Sequence, residues 1–330
     1  MRRLALPFCL ALAACGSSEW TGEEGVDLPL GELGPGDDLT GKADGWGYAT
    51  TCKPIPAASV TLAAPRIVVS LKGLTLHLID DASGWNRVYP IGPGAINTRK
   101  GETTYGRSLS MYPPLATKRN DFTIKTAAVD PCKIWWTDPE SGQRSPVFAG
   151  MPFIPWYGSY GIHGPITGYT AKNGGQLQRG YVSHGCIRME SADVLELWSL
   201  IRARTTVPVR VQEEVERATD GLAVDLPQRW LLSECRADAD CNFTGGTCLG
   251  KSATTGRGFC SVRCSGTCSY DKYGYPVSFC VADASTPGKG FCTLKSSLFN
   301  WSCKRYDGFQ SASGVPRFGG NPASADVCLP

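Results

Sequence analysis

The segment Ser183-His184-Gly185-Cys186-Ile187-Arg188-Met189, with Ile162-His163-Gly164 upstream, is the stretch around which the rest of the sequence is organised. The two pieces contain two of the chain's three histidines and one cysteine. A histidine near a cysteine lowers the thiol pKa or accepts its proton, and the thiolate can then attack a carbonyl. Glycine before the cysteine permits a tight turn that presents backbone N–H groups to an oxyanion. The pattern therefore predicts nucleophilic acyl chemistry.

Upstream of this motif the sequence is typical of β-strands. Residues 65–71 and 73–80 are two apolar segments around a tight turn, and Leu74, Leu76 and Leu78 alternate on one face of the second. Further strands are predicted at 88–92, 122–125, 133–137, 160–163 and, after the motif, 207–211. These segments predict a mainly β fold.

One helix is predicted, from Ser191 to Ala203. Its apolar residues recur at helical spacing on one face, and Ser191 is a suitable N-cap. The Glu213-Glu214-Val215-Glu216 run after the last strand marks a boundary, so we expect a catalytic domain at 51–212 and a second domain at 213–330.

The N-terminus reads as a targeting segment. Arg2 and Arg3 precede a short apolar stretch, which predicts a signal peptide at 1–14. Its end, Leu12-Ala13-Ala14-Cys15, resembles a bacterial lipobox, in which Cys15 would carry lipid; an ordinary secretory signal with an incidental cysteine is the alternative. Residues 15–50 hold eight acidic residues against one lysine and predict a flexible tether, or else a partner-binding acidic tail.

Charge is unevenly distributed along the chain. Residues 51–212 carry 18 Lys/Arg and 10 Asp/Glu, a net of +8, whereas residues 213–330 carry 12 of each. A basic catalytic domain would suit an anionic substrate, although the charge could also serve solubility alone. The chain shows no aromatic-basic nucleic-acid motif, so we expect no nucleic-acid partner.

The C-terminal segment is dense in cysteine. The ten cysteines are Cys235, Cys241, Cys248, Cys260, Cys264, Cys268, Cys280, Cys292, Cys303 and Cys328. An even number in an exported, loop-rich segment predicts a disulfide framework of up to five bridges, with zinc ligation as the alternative. Gly-Phe-Cys occurs at both 258–260 and 290–292, which hints at two related modules.

Three further cysteines lie in residues 51–212. Cys52 and Cys132 are predicted to form a disulfide that staples the start of this domain to its middle. Cys186 is then the odd thiol, and it lies in the motif. A buried, inert cysteine is the alternative interpretation.

The motif and its flanks resemble YkuD-type L,D-transpeptidases. The resemblance rests on the two motif pieces, on Met151-Pro152-Phe153-Ile154-Pro155-Trp156, and on the helix and strand after the motif. It covers about 51–212. It implies a β-sandwich or barrel that acts on peptidoglycan stem peptides without a metal or an organic cofactor.

The resemblance also implies residue roles. Cys186 would be the nucleophile, His163 its base, and the Gly164 carbonyl would orient that base. The backbone of His184, Gly185 and Cys186 would frame an oxyanion hole. Arg188 would bind a substrate carboxylate, and Ser183, also placed at the substrate side, would shape the turn rather than react.

Two features depart from the family pattern and leave specificity open. Nineteen residues separate His163 from Ser183, which predicts an extended loop, and residues 101–106 replace the usual Thr-Pro-x-Gly-x-Phe stretch. Three alternatives to transpeptidation remain: hydrolysis through the same nucleophile, a non-catalytic wall-binding lipoprotein, and metal binding by His163, His184 and Cys186. In each case we expect a protein of the cell envelope, lipid-anchored to the outer membrane, with an envelope partner for the Cys-rich domain.

Overall fold

The computed structural model describes most of the chain after residue 50. The described residues are 51–97, 99–100, 105–111, 119–137, 141–164, 177, 179–268, 277–296, 303, 309–319 and 323–329. The predicted signal peptide, the tether and Cys15 lie outside these residues, as does most of the predicted loop between His163 and Ser183. Within the described residues, no helix is long and apolar enough to cross a membrane.

The first sheet contains five strands in the order β3-β2-β1-β9-β4. Their bounds are β1 Pro65–Ser70, β2 Thr75–Asp80, β3 Trp85–Pro90, β4 Arg119–Lys125 and β9 Thr206–Gln212. All neighbours are antiparallel except β1 and β9, which run parallel. The five strands overlap the segments that the sequence predicts. β9 alternates exposed and buried residues over most of its length, whereas β1 is buried almost throughout.

The second sheet contains four strands in the order β5-β6-β7-β8 and carries the motif. Their bounds are β5 Asp130–Thr137, β6 Arg144–Tyr157, β7 Tyr160–His163 and β8 Ile187–Arg188. β7 and β8 are parallel, with Ile162 opposite Ile187 and His163 opposite Arg188. This pairing brings the two halves of the motif side by side.

The helix of the described residues, α1, runs from Ser191 to Ile201. Its N-cap is Glu190, so the prediction of Ser191 as N-cap is wrong by one position. Val194, Leu197 and Ile201 are buried, and they join one apolar core with side chains of both sheets. The fold class is therefore mainly β with one helix, as predicted.

The C-terminal region forms three small sheets held by disulfides. Its strands are β10 Glu234–Cys235, β11 Thr247–Leu249, β12 Gly258–Ser261, β13 Arg263–Cys264, β14 Ser278–Ala282, β15 Gly290–Leu294, β16 Gln310–Pro316 and β17 Ser324–Leu329. The five disulfides are Cys235–Cys248, Cys241–Cys260, Cys264–Cys280, Cys268–Cys292 and Cys303–Cys328. The predicted framework of five bridges is confirmed.

The zinc interpretation of these cysteines is wrong. Two triplets of sulfur atoms do lie close together, namely Cys235, Cys241 and Cys260, and Cys264, Cys268 and Cys292. All six sulfurs are held in disulfides, so none is the thiolate that a zinc ion requires.

The first two of these sheets are copies of one module. In each sheet the third strand in sequence lies between the first and the second. In each, the first cysteine in sequence is bonded to the third, and the second cysteine is bonded to the fourth. The registers also correspond, because Cys248 pairs with Cys260 as Cys280 pairs with Cys292. The repeated Gly-Phe-Cys is the third strand of each module, so the two related modules hinted at by the sequence are present.

Residues that follow β9 remain packed on the first sheet. The Ser70 hydroxyl donates to the Glu214 carbonyl, and His77 Nδ1 lies 3.0 Å from Glu216 Oε1. Further on, Asp225 Oδ1 accepts from Arg179 Nη2 at 3.0 Å, with both side chains buried. The segment between β9 and β10 is therefore part of the environment of the first sheet.

Candidate active site

His163 lies at the end of β7, in an aromatic enclosure. It is 3 % exposed, and its ring is 5.1 Å from that of Phe148 and 6.1 Å from that of Phe153. Its Nδ1 lies 2.6 Å from the Gly164 carbonyl oxygen. A carbonyl can only accept, so Nδ1 carries the hydrogen and Nε2 keeps its lone pair. The orientation that the family resemblance implied is present in the structure.

The surroundings of His163 keep it neutral. Burial lowers its pKa to about 3, helped by the positive charge of Arg188 and opposed by the hydrogen bond to Gly164. A buried imidazole loses the hydration that stabilises its charged form, and a nearby cation adds repulsion. At neutral pH the Nε2 lone pair is therefore available as a base.

Cys186 immediately precedes β8 and is 1 % exposed. Because Arg188 is the strand partner of His163, the cysteine lies at the end of the strand adjacent to that histidine. Its Sγ is 3.8 Å from the carbonyl oxygen of Ser159, in the turn between β6 and β7. The parallel register, continued by one residue, places Cys186 opposite Gly161, two residues before the predicted base on β7.

The prediction that Cys186 is left without a partner is contradicted. The structure records Cys186 as disulfide-bonded. Cys52 and Cys132, by contrast, form the predicted disulfide. Any reaction of Cys186 as a nucleophile needs its reduced form.

Gly185 occupies a conformation that suits glycine alone. Its φ is +133°, and a Cβ atom added there would lie 2.1 Å from Cε1 of Tyr160. The turn before Cys186 is therefore packed against an aromatic ring with no room for a side chain.

The side chain of Ser183 stabilises the turn before β8. Its side chain is buried, and its hydroxyl donates to the Cys186 carbonyl at 2.5 Å while accepting from Gly185 N at 3.1 Å. Its hydrogen bonds thus lie within the turn itself, and its placement at the substrate side stays a prediction. The Gly185 N–H donates to the Ser183 hydroxyl. It is therefore not available as one of the oxyanion donors that the resemblance implied.

His184 and Arg188 complete the charged part of the site. Both side chains are partly buried. Burial, and then the charge of Arg188, lower the pKa of His184. Arg188 is fixed by its backbone, which exchanges two 2.9 Å hydrogen bonds with Gly92. Its guanidinium supplies the positive field of the site.

Two residues to which the sequence assigns no role, Gly94 and Ser110, contact the motif at Gly185. Gly94 packs against the backbone of Gly185, and a Cβ atom added to Gly94 would lie 2.9 Å from the Cα atom of Gly185. Ser110 donates its hydroxyl to the Gly185 carbonyl at 2.7 Å. Serine and glycine in a turn-rich segment give no signal of such a contact, because it joins residues 75 positions apart.

A family model matches the part of the chain that carries the motif. Residues 64–211 match the model of the YkuD family, described as the L,D-transpeptidase catalytic domain. No curated protein matches the sequence.

Two solved structures are similar to part of the chain. An L,D-transpeptidase of Xylanimonas cellulosilytica is 19 % identical over 48 % of this chain and 64 % of its own, with a TM-score of 0.27. An L,D-transpeptidase of Stackebrandtia nassauensis is 15 % identical over 48 % and 59 %, with a TM-score of 0.28. The chain thus spans less than two thirds of either structure. Residues 64–211, the part that carries both halves of the motif, thus match the YkuD family of L,D-transpeptidase catalytic domains.

Proposed function

We propose that this protein is a peptidoglycan L,D-transpeptidase that works through a thioester on Cys186. The observation that carries the proposal is the neutral His163, oriented by the Gly164 carbonyl on the strand adjacent to the cysteine. A nucleophile, a base and a group that orients the base are the elements that activated-thiol catalysis requires.

In the first half-reaction His163 Nε2 takes the proton of the Cys186 thiol. The thiolate attacks the carbonyl that follows the L-centre of diaminopimelate in a donor stem peptide. The negative oxygen is stabilised by backbone N–H groups of the motif. When the C–N bond breaks, His163 returns its proton to the departing D-alanine amine, and a thioester remains on Cys186.

In the second half-reaction an amine of another stem peptide attacks the thioester. His163 accepts the amine proton and returns it to the sulfur as the C–S bond breaks. The product is an amide crosslink, and the Cys186 thiol is regenerated. Water in place of the amine would give hydrolysis, which is the alternative outcome of the same chemistry.

Charge supports an anionic donor. Arg188 lies at the site, and its guanidinium can bind a carboxylate of the stem peptide in paired hydrogen bonds. The same charge opposes protonation of His163 and favours the thiolate. One residue therefore serves both substrate binding and nucleophile activation in the proposal.

We further propose the location of this reaction. The sequence features of residues 1–14 and Cys15 fit export followed by lipid attachment, and the five C-terminal disulfides fit an oxidising compartment. The enzyme would act from a lipid anchor in the outer membrane, with residues 15–50 as a tether and the Cys-rich region facing an envelope partner.

The test is incubation of the purified protein with disaccharide-tetrapeptide muropeptides, with products followed by mass spectrometry. The Cys186 thiol state is verified beforehand by the intact mass of the protein. We expect crosslinked dimers, and exchange of D-alanine when another D-amino acid is added. Cys186→Ala should form neither.

Two other results would overturn parts of the proposal. Shortened or uncrosslinked products alone would assign the protein to the hydrolases. Identical behaviour of wild type and Cys186→Ala would exclude catalysis by this thiol and favour a wall-binding role.

A further inference from the structure

The hydroxyl of Ser110 links a distant turn to the peptide that precedes the nucleophile. Ser110 is fully buried in a short 3₁₀ turn, Leu109–Met111. Its hydroxyl donates to the Gly185 carbonyl at 2.7 Å and accepts from the Gly94 N–H at 2.8 Å. The side chain therefore has one donor and one acceptor contact, both to backbone.

This contact fixes the direction of the Cys186 N–H. In a trans peptide the carbonyl and the N–H of the same plane point in opposite directions. Because the Gly185 carbonyl points to Ser110, the N–H of Cys186 points to the opposite side of the peptide plane. That N–H is the donor that would meet the negative oxygen of the tetrahedral intermediate.

The plane would not hold this direction by itself. Gly185 has the broad conformational freedom of glycine, and at φ +133° its backbone adopts a conformation that other residues rarely adopt. Ser183 holds the neighbouring groups, Gly185 N and the Cys186 carbonyl. In the described part of the chain its hydroxyl makes no hydrogen bond to the Gly185 carbonyl. Ser110 is the side chain that controls this one rotation.

The turn that carries Ser110 is itself braced. The Ser108 hydroxyl donates to the Gly94 carbonyl at 2.6 Å and accepts from Ser110 N at 3.2 Å. Gly94 and Ser110 are thereby held as one unit against Gly185. Such support is what a site needs if its donors are to be in place before the reaction.

We propose that Ser110 is a positioning residue for the oxyanion-binding N–H of Cys186. The inference rests on the proposed function, because it assigns Ser110 a role in acylation of that thiol. It predicts that loss of the hydroxyl slows reactions that pass through a tetrahedral oxyanion and leaves other reactions of the thiol unchanged.

The experiment compares two reactions of the reduced Cys186 thiol in the full chain. Acylation by a carbapenem passes through a tetrahedral oxyanion, whereas alkylation by iodoacetamide is a direct displacement that needs no oxyanion hole. In Ser110→Ala we expect acylation to slow by about 10- to 100-fold, as for a misplaced oxyanion donor. We expect the rate of alkylation to stay within about twofold of wild type, since the thiol and His163 are untouched.

Two control variants separate positioning from structure. Ser199→Ala removes another buried serine, whose hydroxyl donates to Glu196 on α1 away from the site, and should change neither rate. Ser110→Thr keeps a hydroxyl and should recover part of the acylation rate. Both rates are measured on folded monomer isolated by gel filtration, so that unfolded protein does not enter the comparison.

The outcomes are distinguishable. Equal acylation of wild type and Ser110→Ala, or an equal fall in both reactions, would overturn the role of Ser110. Failure of the wild type itself to be acylated would overturn the proposed function and the role of Ser110 with it.

Discussion

The imidazole of His163 is neutral because of what packs around it. Two phenylalanine rings bury it, and Arg188 repels a proton from it. The same burial that prepares the base makes its protonation costly to the fold. The charge state of this residue therefore links the proposed catalysis to the stability of the fold.

This link predicts a pH dependence of stability. The pKa of His163 is lowered from 6.5 in the unfolded chain to about 3 in the fold, so between these values the unfolded chain binds one more proton. The stability that this group contributes is complete above pH 6.5 and is lost as the pH falls, by about 1.4 kcal/mol per pH unit. Chemical denaturation of wild type and His163→Asn between pH 7.5 and 4 measures the difference in slope; parallel curves would contradict the assignment.

At this scale the sequence predicts the groups proposed to react but not the groups that hold them. The histidine and the cysteine are recognisable because few other residue types perform their chemistry. Ser110 and Gly94 have no such signature, since their role comes from contacts with Gly185 that depend on the fold. Ser183 lies in the motif, yet only its hydrogen bonds reveal that it serves the turn.

Strands with a regular alternation of apolar residues are predicted from the sequence, whereas β6 is not predicted as a strand. β6 spans 14 residues and joins β5 to β7, but it contains Pro152 and Pro155. Proline lacks the N–H that a sheet requires, so it argues against a central strand. The pairing of β6 with β7 changes register between Pro155, which lies opposite Gly161, and Tyr157, which lies opposite Tyr160. Pro155 is accommodated beside this irregularity.

Helix α1 carries a carboxyl group in an unfavourable place. Burial raises the pKa of Asp193 to about 6, and the negative charges of Glu190 and Glu196 add to this effect, while Arg87 opposes it. Because the pKa of Asp193 is raised from 3.8 to about 6, the stability that this carboxyl contributes is complete below pH 3.8. That contribution is lost as the pH rises through 6.

Asp193→Asn removes this charge and should stabilise the protein at pH 7. We expect a gain of about 1 to 3 kcal/mol in the free energy of unfolding at pH 7, because the pKa of this partly exposed carboxyl rises from 3.8 to about 6 on folding. The gain should disappear below pH 4, where the wild-type carboxyl is protonated in both states. A gain that persists at low pH would point to another cause.

At the scale of the whole molecule, the segment after β9 is joined to the catalytic domain by a buried ion pair. Arg179 donates to the carbonyls of Gly73 and Leu74 and to Asp225, whose second oxygen accepts from Ser233 just before β10. Asp225 lies beyond the residues that match the family model. The ion pair therefore connects the segment before the motif to the entrance of the Cys-rich region, and no sequence periodicity predicts it.

Removal of one partner of a buried ion pair leaves the other charged and buried. Asp225→Ala should therefore destabilise the protein by about 3 to 5 kcal/mol. Asp220→Ala is the matched control, because its ion pair with Arg236 is half exposed and should contribute less than about 1 kcal/mol. Thermal unfolding of the three proteins gives the comparison, and equal losses in the two variants would contradict the role of the Asp225 pair.

The central claim is that Cys186 forms a thioester with a donor stem peptide. Rapid quenching of the protein with a tetrapeptide donor, followed by intact-mass measurement and peptide analysis, tests it directly. We predict an adduct equal in mass to the donor minus D-alanine, located on Cys186 and missing from Cys186→Ala. An adduct on Cys186→Ala, or turnover of the donor by wild type with no adduct at any quench time, would contradict the account.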